Sequence, residues 1–353
     1  MQTLPMLSCF NLLKFSKTTS NNFIFFYVLL LIVFIGLRNE VGGDWIQYFH
    51  NYNNPPPFSF LNFSMRNDYL YNYLLFLFYN FGMSYNIFNF LLAIFFVLSL
   101  CHFCKIFPSF SLALVFSFPI VVMMMGLGFT RQGIAFAFVL IAITSFLKKN
   151  KITFVIWALT AILFHKSSII ILFFYPLIDN KINFFEYFII TFLLIVMFVL
   201  LRTDFINLYN NYIGSNLYNN AESGAYLSSK GAIFRVGLNC IAATIFLLLI
   251  NDITENINEK KLFFTISILC FISLIFVFKY SVFIDRLNYY FTPLQIFVYS
   301  RLPFFFNNYN TQEFFKITLS IFHVIVLFIW INYSDYSHAW LPYQNILIEW
   351  IIK

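Results

Sequence analysis

GFTRQGIAFAFVLIAITSFLKKNKITFVIWALTAILFHKSS, residues 128–168, is the stretch that decides the fold. Arg131 and Gln132 open an apolar run that closes on Lys148, Lys149 and Lys151. A second apolar run leads back to His165 and Lys166. Two apolar helices joined by a tight basic loop make a hairpin that crosses a bilayer twice. Hydrocarbon offers the backbone no other partner, so only helices or closed barrels span it. Lysine-rich short loops stay in the cytoplasm. Arg131 and His165 then emerge side by side on the opposite face.

The rest of the chain keeps this character. Of its 353 residues, 61% are hydrophobic, 23% aromatic and 10% charged, and mean hydropathy is +0.81. An ordinary soluble globule is excluded. We expect an all-α, polytopic integral membrane protein, a single transmembrane domain over residues 1–353 with roughly ten to eleven transmembrane helices. The apolar runs at 22–37, 87–107, 111–126, 133–147, 152–164, 168–178, 184–201, 232–250, 262–278, 287–299 and 314–331 are the expected spans. Residues 69–81 are short and interleaved with Tyr and Asn, and are read as an interfacial helix that does not cross. Only then do Lys14 and Lys17, the lysines near 150, and Lys260 and Lys261 all fall on one side. Two larger polar loops, 38–67 and 202–230, face the other side. A membrane barrel would instead show alternating segments of ~10 residues. No small-residue cleavage site follows the first apolar stretch, so no cleaved leader is expected. The net charge of +7 is assigned to lysines facing anionic headgroups, not to nucleic acid.

Arginine and lysine part company across this topology. The cytoplasmic side holds ten lysines and one arginine, Arg301. The outer side holds six arginines, at 38, 66, 131, 202, 235 and 286, and four lysines. The positive-inside rule accounts for the first group only. Arginine presents a planar fork of donors suited to phosphate or carboxylate, which points to an anion held outside. The Cys101-His102-Phe103-Cys104 run has no second pair, so it is read as buried packing and no metal is expected.

Four clusters carry candidate chemistry. Arg38-Asn39-Glu40-Val41-Gly42-Gly43-Asp44 leaves the first span, and Trp45, Tyr48 and Tyr52 follow it; a carboxylate beside aromatic faces suits sugars. Arg131 and Gln132 sit at a helix N-terminus, where free N–H groups favour an anion. His165 shares their level and suits proton abstraction from a hydroxyl. Arg286 and Tyr290 share one helix face, and Asp285–Arg286 reads as an interfacial ion pair. Walker, zincin, Rossmann and nucleophile-elbow signatures are absent, as is an Asp-x-Asp pair for a metal-held nucleotide sugar. No cofactor is expected.

At these residues the chain resembles the Wzy-type polysaccharide polymerases, in particular the EpsG-like branch. The matching elements are Arg38 to Asp44, Arg131-Gln132-Gly133-Ile134-Ala135, Phe164-His165-Lys166-Ser167, Arg286 to Tyr290 and Pro342-Tyr343. The resemblance implies a bacterial inner-membrane glycosyltransferase acting at the periplasmic face. Such an enzyme joins undecaprenyl-diphosphate-linked oligosaccharide repeat units of an O-antigen or capsule-like polymer, with the bilayer and a chain-length regulator as further partners. Its chemistry then assigns Arg131 and Arg286, with Arg38 as a third, to the diphosphate. His165 is the first choice of base and Asp44 the second. Trp45, Tyr48 and Tyr290 would stack on sugar rings. The competing readings are a flippase or transporter of lipid-linked oligosaccharides, which predicts midplane charges and inverted repeats, and a membrane ligase or acyltransferase.

Overall fold

The computed structural model describes residues 17–55, 68–178 and 229–352. The expected span at 184–201, most of the loop 202–230, and Arg66, Arg202, Lys14, Lys181 and Cys9 lie outside them. The fold is helical. Helix α1 (Lys17–Gly36) leads into a two-residue strand β1 (Arg38–Asn39), and α2 (Trp45–Asn53), α3 (Tyr69–Asn80), α4 (Tyr85–Cys104) and α5 (Phe110–Ser117) follow. A π-helical segment, Phe118–Gly128, continues α5. The hairpin α6 (Thr130–Leu147) and α7 (Lys151–Phe164) comes next, then a 3-10 segment, Lys166–Leu177. After the gap come α8 (Ala232–Leu248), α9 (Ile257–Phe276), α10 (Ser281–Asn288), α11 (Pro293–Arg301) and α12 (Tyr309–Tyr333). Strand β2 (Gln344–Asn345) and α13 (Ile346–Ile352) close the chain. Among the described residues, four helices are long and apolar enough to cross a membrane: α4, α5 with its π continuation, α6 and α12. Others, including α7 and α8, are apolar but shorter.

The hairpin forms as its sequence dictates. Ala135, Ala142, Ala158 and Ala161 are fully buried, and small residues let α6 and α7 approach closely where lipid gives helices no hydrophobic push. Lys149 adopts a left-handed φ of 58°, which turns the chain sharply. The Asn150 side chain accepts from Thr153 N at 3.1 Å and starts α7. The expected span at 287–299 is a broken helix instead. It runs from α10 through a 3-10 turn at Tyr289–Phe291 into α11. Asn239 of α8 donates to Asn288 Oδ1 at 2.8 Å and accepts from Gln295, pinning the break to its neighbour.

The bundle has two unlike ends. At the lysine end, Lys105 and Lys148 both act on His102, and Arg301 forms a buried two-point pair with Glu259 at 2.8 and 2.9 Å. Arg38, Arg131, Arg235 and Arg286 lie at the other end, linked by the contacts below. Helix α3 begins beside Arg131, and its last turn packs near α2, where Tyr52 rests on Tyr79. Both of its ends thus sit at the arginine end. There a late segment also closes over an early one. Strand β2 pairs antiparallel with β1, Arg38 opposite Asn345. Ala339 O accepts from Gly42 N at 2.7 Å, and Trp340 Nε1 donates to Met123 O at 3.0 Å. Gly42 has φ +108°, and a Cβ there would strike Leu127 O, so only glycine fits.

Candidate functional site

His165 caps the end of α7, with Ser168 Oγ donating to its carbonyl at 2.8 Å. The extended backbone at His165 turns the imidazole towards Asp68. Both Asp68 carboxylate oxygens lie 3.1 Å from His165 Nδ1. Arg131 Nη1 reaches the same carboxylate at 3.1 Å. His165 Nε2 has no hydrogen-bond partner among the described residues, and the side chain is 18% exposed. A neutral imidazole held through Nδ1–H presents Nε2 as acceptor, the tautomer a general base needs.

Asp68 belongs to the candidate site by its contacts and is absent from the residues singled out in the sequence. It occupies the position before the first turn of α3, where an aspartate ordinarily caps the helix. Here its side chain makes no capping bond, and its backbone is left-handed, φ 53°. Aspartate tolerates that region better than most residues. The carboxylate is 5% exposed. Burial is the strongest single influence on it and raises its pKa. His165, Arg131 and Lys166 together outweigh burial and hold the carboxyl below its ordinary value. The available signal was an acidic residue opening an apolar helix in a chain with only 14 of them.

Arg131 and Gln132 start α6 against the π segment. A Cβ at Gly133 would strike Met125 O, so glycine lets the first turn seat there. The Arg131 guanidinium stands 5.4 Å from the Tyr48 ring centroid. Its Nε is buried with no partner, while 29% of the side chain remains exposed. Gln132 points the other way. Its Nε2 donates to Arg286 O at 2.8 Å and its Oε1 accepts from Arg286 Nη1 at 3.0 Å. Arg286 also lies over Phe129, 4.4 Å from the centroid. Among the described residues, no carboxylate pairs with Arg286. Tyr290 Oη meets Ser167 Oγ at 3.0 Å. Asp68, Arg131 and His165 are joined directly, and the pairs Gln132–Arg286 and Ser167–Tyr290 adjoin them through the neighbouring chain positions 132 and 167.

Other expected residues stand differently. Arg38 is 2% exposed. It donates to Val41 O at 3.2 Å, Ile35 O at 2.6 Å and Thr130 Oγ1 at 2.8 Å, so its fork is turned inward on the protein. Asp44 accepts from Tyr48 Oη at 3.3 Å, across that ring from Arg131. Burial, against the pull of Arg131, pushes the Tyr48 phenol up to about 12, so it stays a donor. Trp45 is buried between Phe49 and Tyr85, Tyr48 beside Tyr71 under Arg131, and Tyr290 beside Phe136, so none of the three expected rings offers an open face to a sugar. Asp285 does not pair with Arg286. It takes Arg235 in a two-point pair at 2.7 and 2.6 Å, because α8 brings that fork alongside.

The group offers a base with an oriented ring, a cation without a carboxylate, and a second cation shared with one. Among the described residues, no cluster of His, Cys, Asp and Glu has the makings of a metal site. A family model described as the EpsG family matches residues 21–345, nearly the whole chain. No curated protein and no solved structure matches it.

Proposed function

The chain belongs to the EpsG family, and from that premise we propose that it polymerises a surface polysaccharide from undecaprenyl-diphosphate-linked repeat units at the arginine end of the bundle. Membership makes it a polysaccharide-polymerase-like membrane protein. The donor, the periplasmic placement of the site in a bacterial inner membrane and the residue roles are our reading. The observation that carries it is the join of Asp68–His165, with Nε2 unpartnered, to Arg131, beside Arg286 bound to the neighbouring Gln132.

In this mechanism the glycosidic C1–O bond to the diphosphate breaks and its electron pair stays on the diphosphate oxygen. A sugar hydroxyl of the acceptor unit bonds to C1, and its proton passes to His165 Nε2. Arg286 meets the growing negative charge, with Arg131 and the N-terminus of α6 behind it. One well-placed donor of this kind is worth roughly 3 kcal/mol. Asp68 keeps the imidazole in register and favours its charged form after proton transfer. Asp44 stays the alternative base, one ring away from Arg131. Arg38, Gln132 and Tyr290 act as positioning residues: each hydrogen-bonds another part of the protein at this end. Tyr48, buried under Arg131, fixes that guanidinium, and Trp45 supports α2.

The test is purified protein in nanodiscs supplied with lipid-linked repeat units. A ladder of longer products, lost in His165→Ala and Arg286→Ala at unchanged protein level, is expected. Full-length ladders from both variants would sink the assignment. Transfer to an unrelated acceptor would make the protein a ligase, and movement of lipid without bond formation a flippase.

A further inference from the structure

A cavity of about 310 Å³ lies between α8, the π segment and α12. Its depth is hydrocarbon: Ile120 and Met124 of the π segment, Leu238 of α8, and Val326 and Leu327 of α12. Polar groups gather at one rim, with Lys230, Arg235, Ser334 and Asp335. That rim is the arginine end, since Lys230 precedes α8 and Asp335 follows α12. Both rim cations are already neutralised, Lys230 by Asp335 at 2.7 Å and Arg235 by Asp285. The rim therefore leaves neither of these cations free to hold an anionic ligand. Arg286, which has no carboxylate partner among the described residues, is reached across two rings. Arg235 lies over Tyr289 at 5.6 Å, Tyr289 meets Phe129 at 5.8 Å, and Phe129 lies under Arg286.

An apolar well whose uncompensated positive charge stands to one side matches an amphiphile with one chain and an anionic head. The volume falls at the low end for ligand sites, ~300–1,000 Å³, which gives room for a stretch of one chain and not for the paired chains of a phospholipid. We propose that this cavity seats the isoprenoid chain of the polyprenyl-diphosphate-linked saccharide, its hydrocarbon against Ile120, Leu238 and Val326 and its diphosphate at Arg286. The proposal rests on the polymerase reading for the identity of its occupant.

The test uses the full chain in nanodiscs, with Leu238, or in a second variant Val326, replaced by photoreactive p-benzoylphenylalanine. Ile275, which is 72% exposed on α9, carries the same group as the control. Radiolabelled undecaprenyl diphosphate is added and irradiated, and folding of each variant is checked by thermal melting. Capture at Leu238 and Val326 on the order of tenfold above Ile275 is expected, a difference of about 1.4 kcal/mol in preference. Unlabelled undecaprenyl diphosphate should remove it, phosphatidylglycerol should not, and Arg286→Ala should weaken it. Equal capture at Ile275, or competition by phosphatidylglycerol, would make the cavity an ordinary lipid contact and overturn the proposal. So would absent capture in two folded variants. Capture does not need turnover: capture without a ladder leaves the chain site standing and fells the polymerase reading, and a ladder without capture does the reverse.

Discussion

Seven arginines in a chain with 10% charged residues invite a single explanation, and the structure divides the five it describes by partner. Arg301 and Arg235 are tied to carboxylates, Arg38 to the protein's own carbonyls and a threonine, Arg131 shares Asp68, and Arg286 is left with a neutral amide and a ring. Arg38→Ala strips donors from buried acceptors, each worth ~1–3 kcal/mol. It should lower Tm by several degrees while the surviving folded fraction keeps its KM for the proposed donor. Arg286→Ala should do the opposite, sparing Tm and raising KM or lowering kcat. Equal effects of the two on KM would undo the distinction. Asp68→Asn keeps a residue that tolerates left-handed backbone and removes only the charge. Turnover should drop ~10²–10³-fold, within the usual range for general-base help. A reduction under threefold in a ladder assay would remove Asp68 from the mechanism. The sign of the pH effect follows from its lowered carboxyl. A depressed folded pKa contributes stability in full above the unfolded value of ~4. That contribution fades as pH falls through the folded value. Wild type should therefore lose Tm below about pH 4, and Asp68→Asn should lose less over that interval. The sequence picked out Arg131, Gln132, His165, Arg286 and Tyr290, which the structure brings to one end. Which arginine already had a partner was not legible there, because partners such as Asp285 for Arg235 sit on another helix, 50 positions away.

Helices α6 and α7 were readable because apolar length, a lysine loop and a helix-starting Asn150 all agree. Two elements were not readable. The run at 111–126 becomes α-helix and then eleven residues of π-helix, and the run at 287–299 breaks around Tyr289–Phe291. Hydropathy counts apolar residues and is blind to the winding of the backbone. Both departures serve the site: the π segment supplies Met125 O as the seat for Gly133, and the break aims Arg286 back at Gln132. Gly133→Ala should therefore shift the start of α6 and lower both Tm and turnover sharply. Gly237→Ala, with nothing within 4 Å of the added carbon, should be neutral or stabilising by about 0.5–1 kcal/mol, since alanine favours helix. If thermal melts of the two variants coincide, the close packing at Gly133 does not matter.

Across the whole molecule, the sequence foretold a lysine end and an arginine end, and the described contacts keep those sets apart. It did not foretell that residues 339–345 return to the first polar loop, since a two-strand ladder and one tryptophan leave no periodic trace. Trp340 is 4% exposed, and removing such a side chain costs about 3–5 kcal/mol. Trp340→Ala should lower Tm and make the loop after α1 sensitive to protease, read by mass spectrometry of the fragments. Protection equal to wild type would show that the strap does not hold the loop. The strap also sets an order in time. Every candidate side chain from Arg38 to Tyr290 leaves the ribosome before Ala339, Trp340 and Asn345 exist. Until those last contacts are synthesised, the loop after α1 lacks its fastener, and Thr130 lacks a fixed Arg38 beside it. A chain still being inserted would hold all the chemical groups without their arrangement, and the site would be finished only once residues 339–345 had been made and docked.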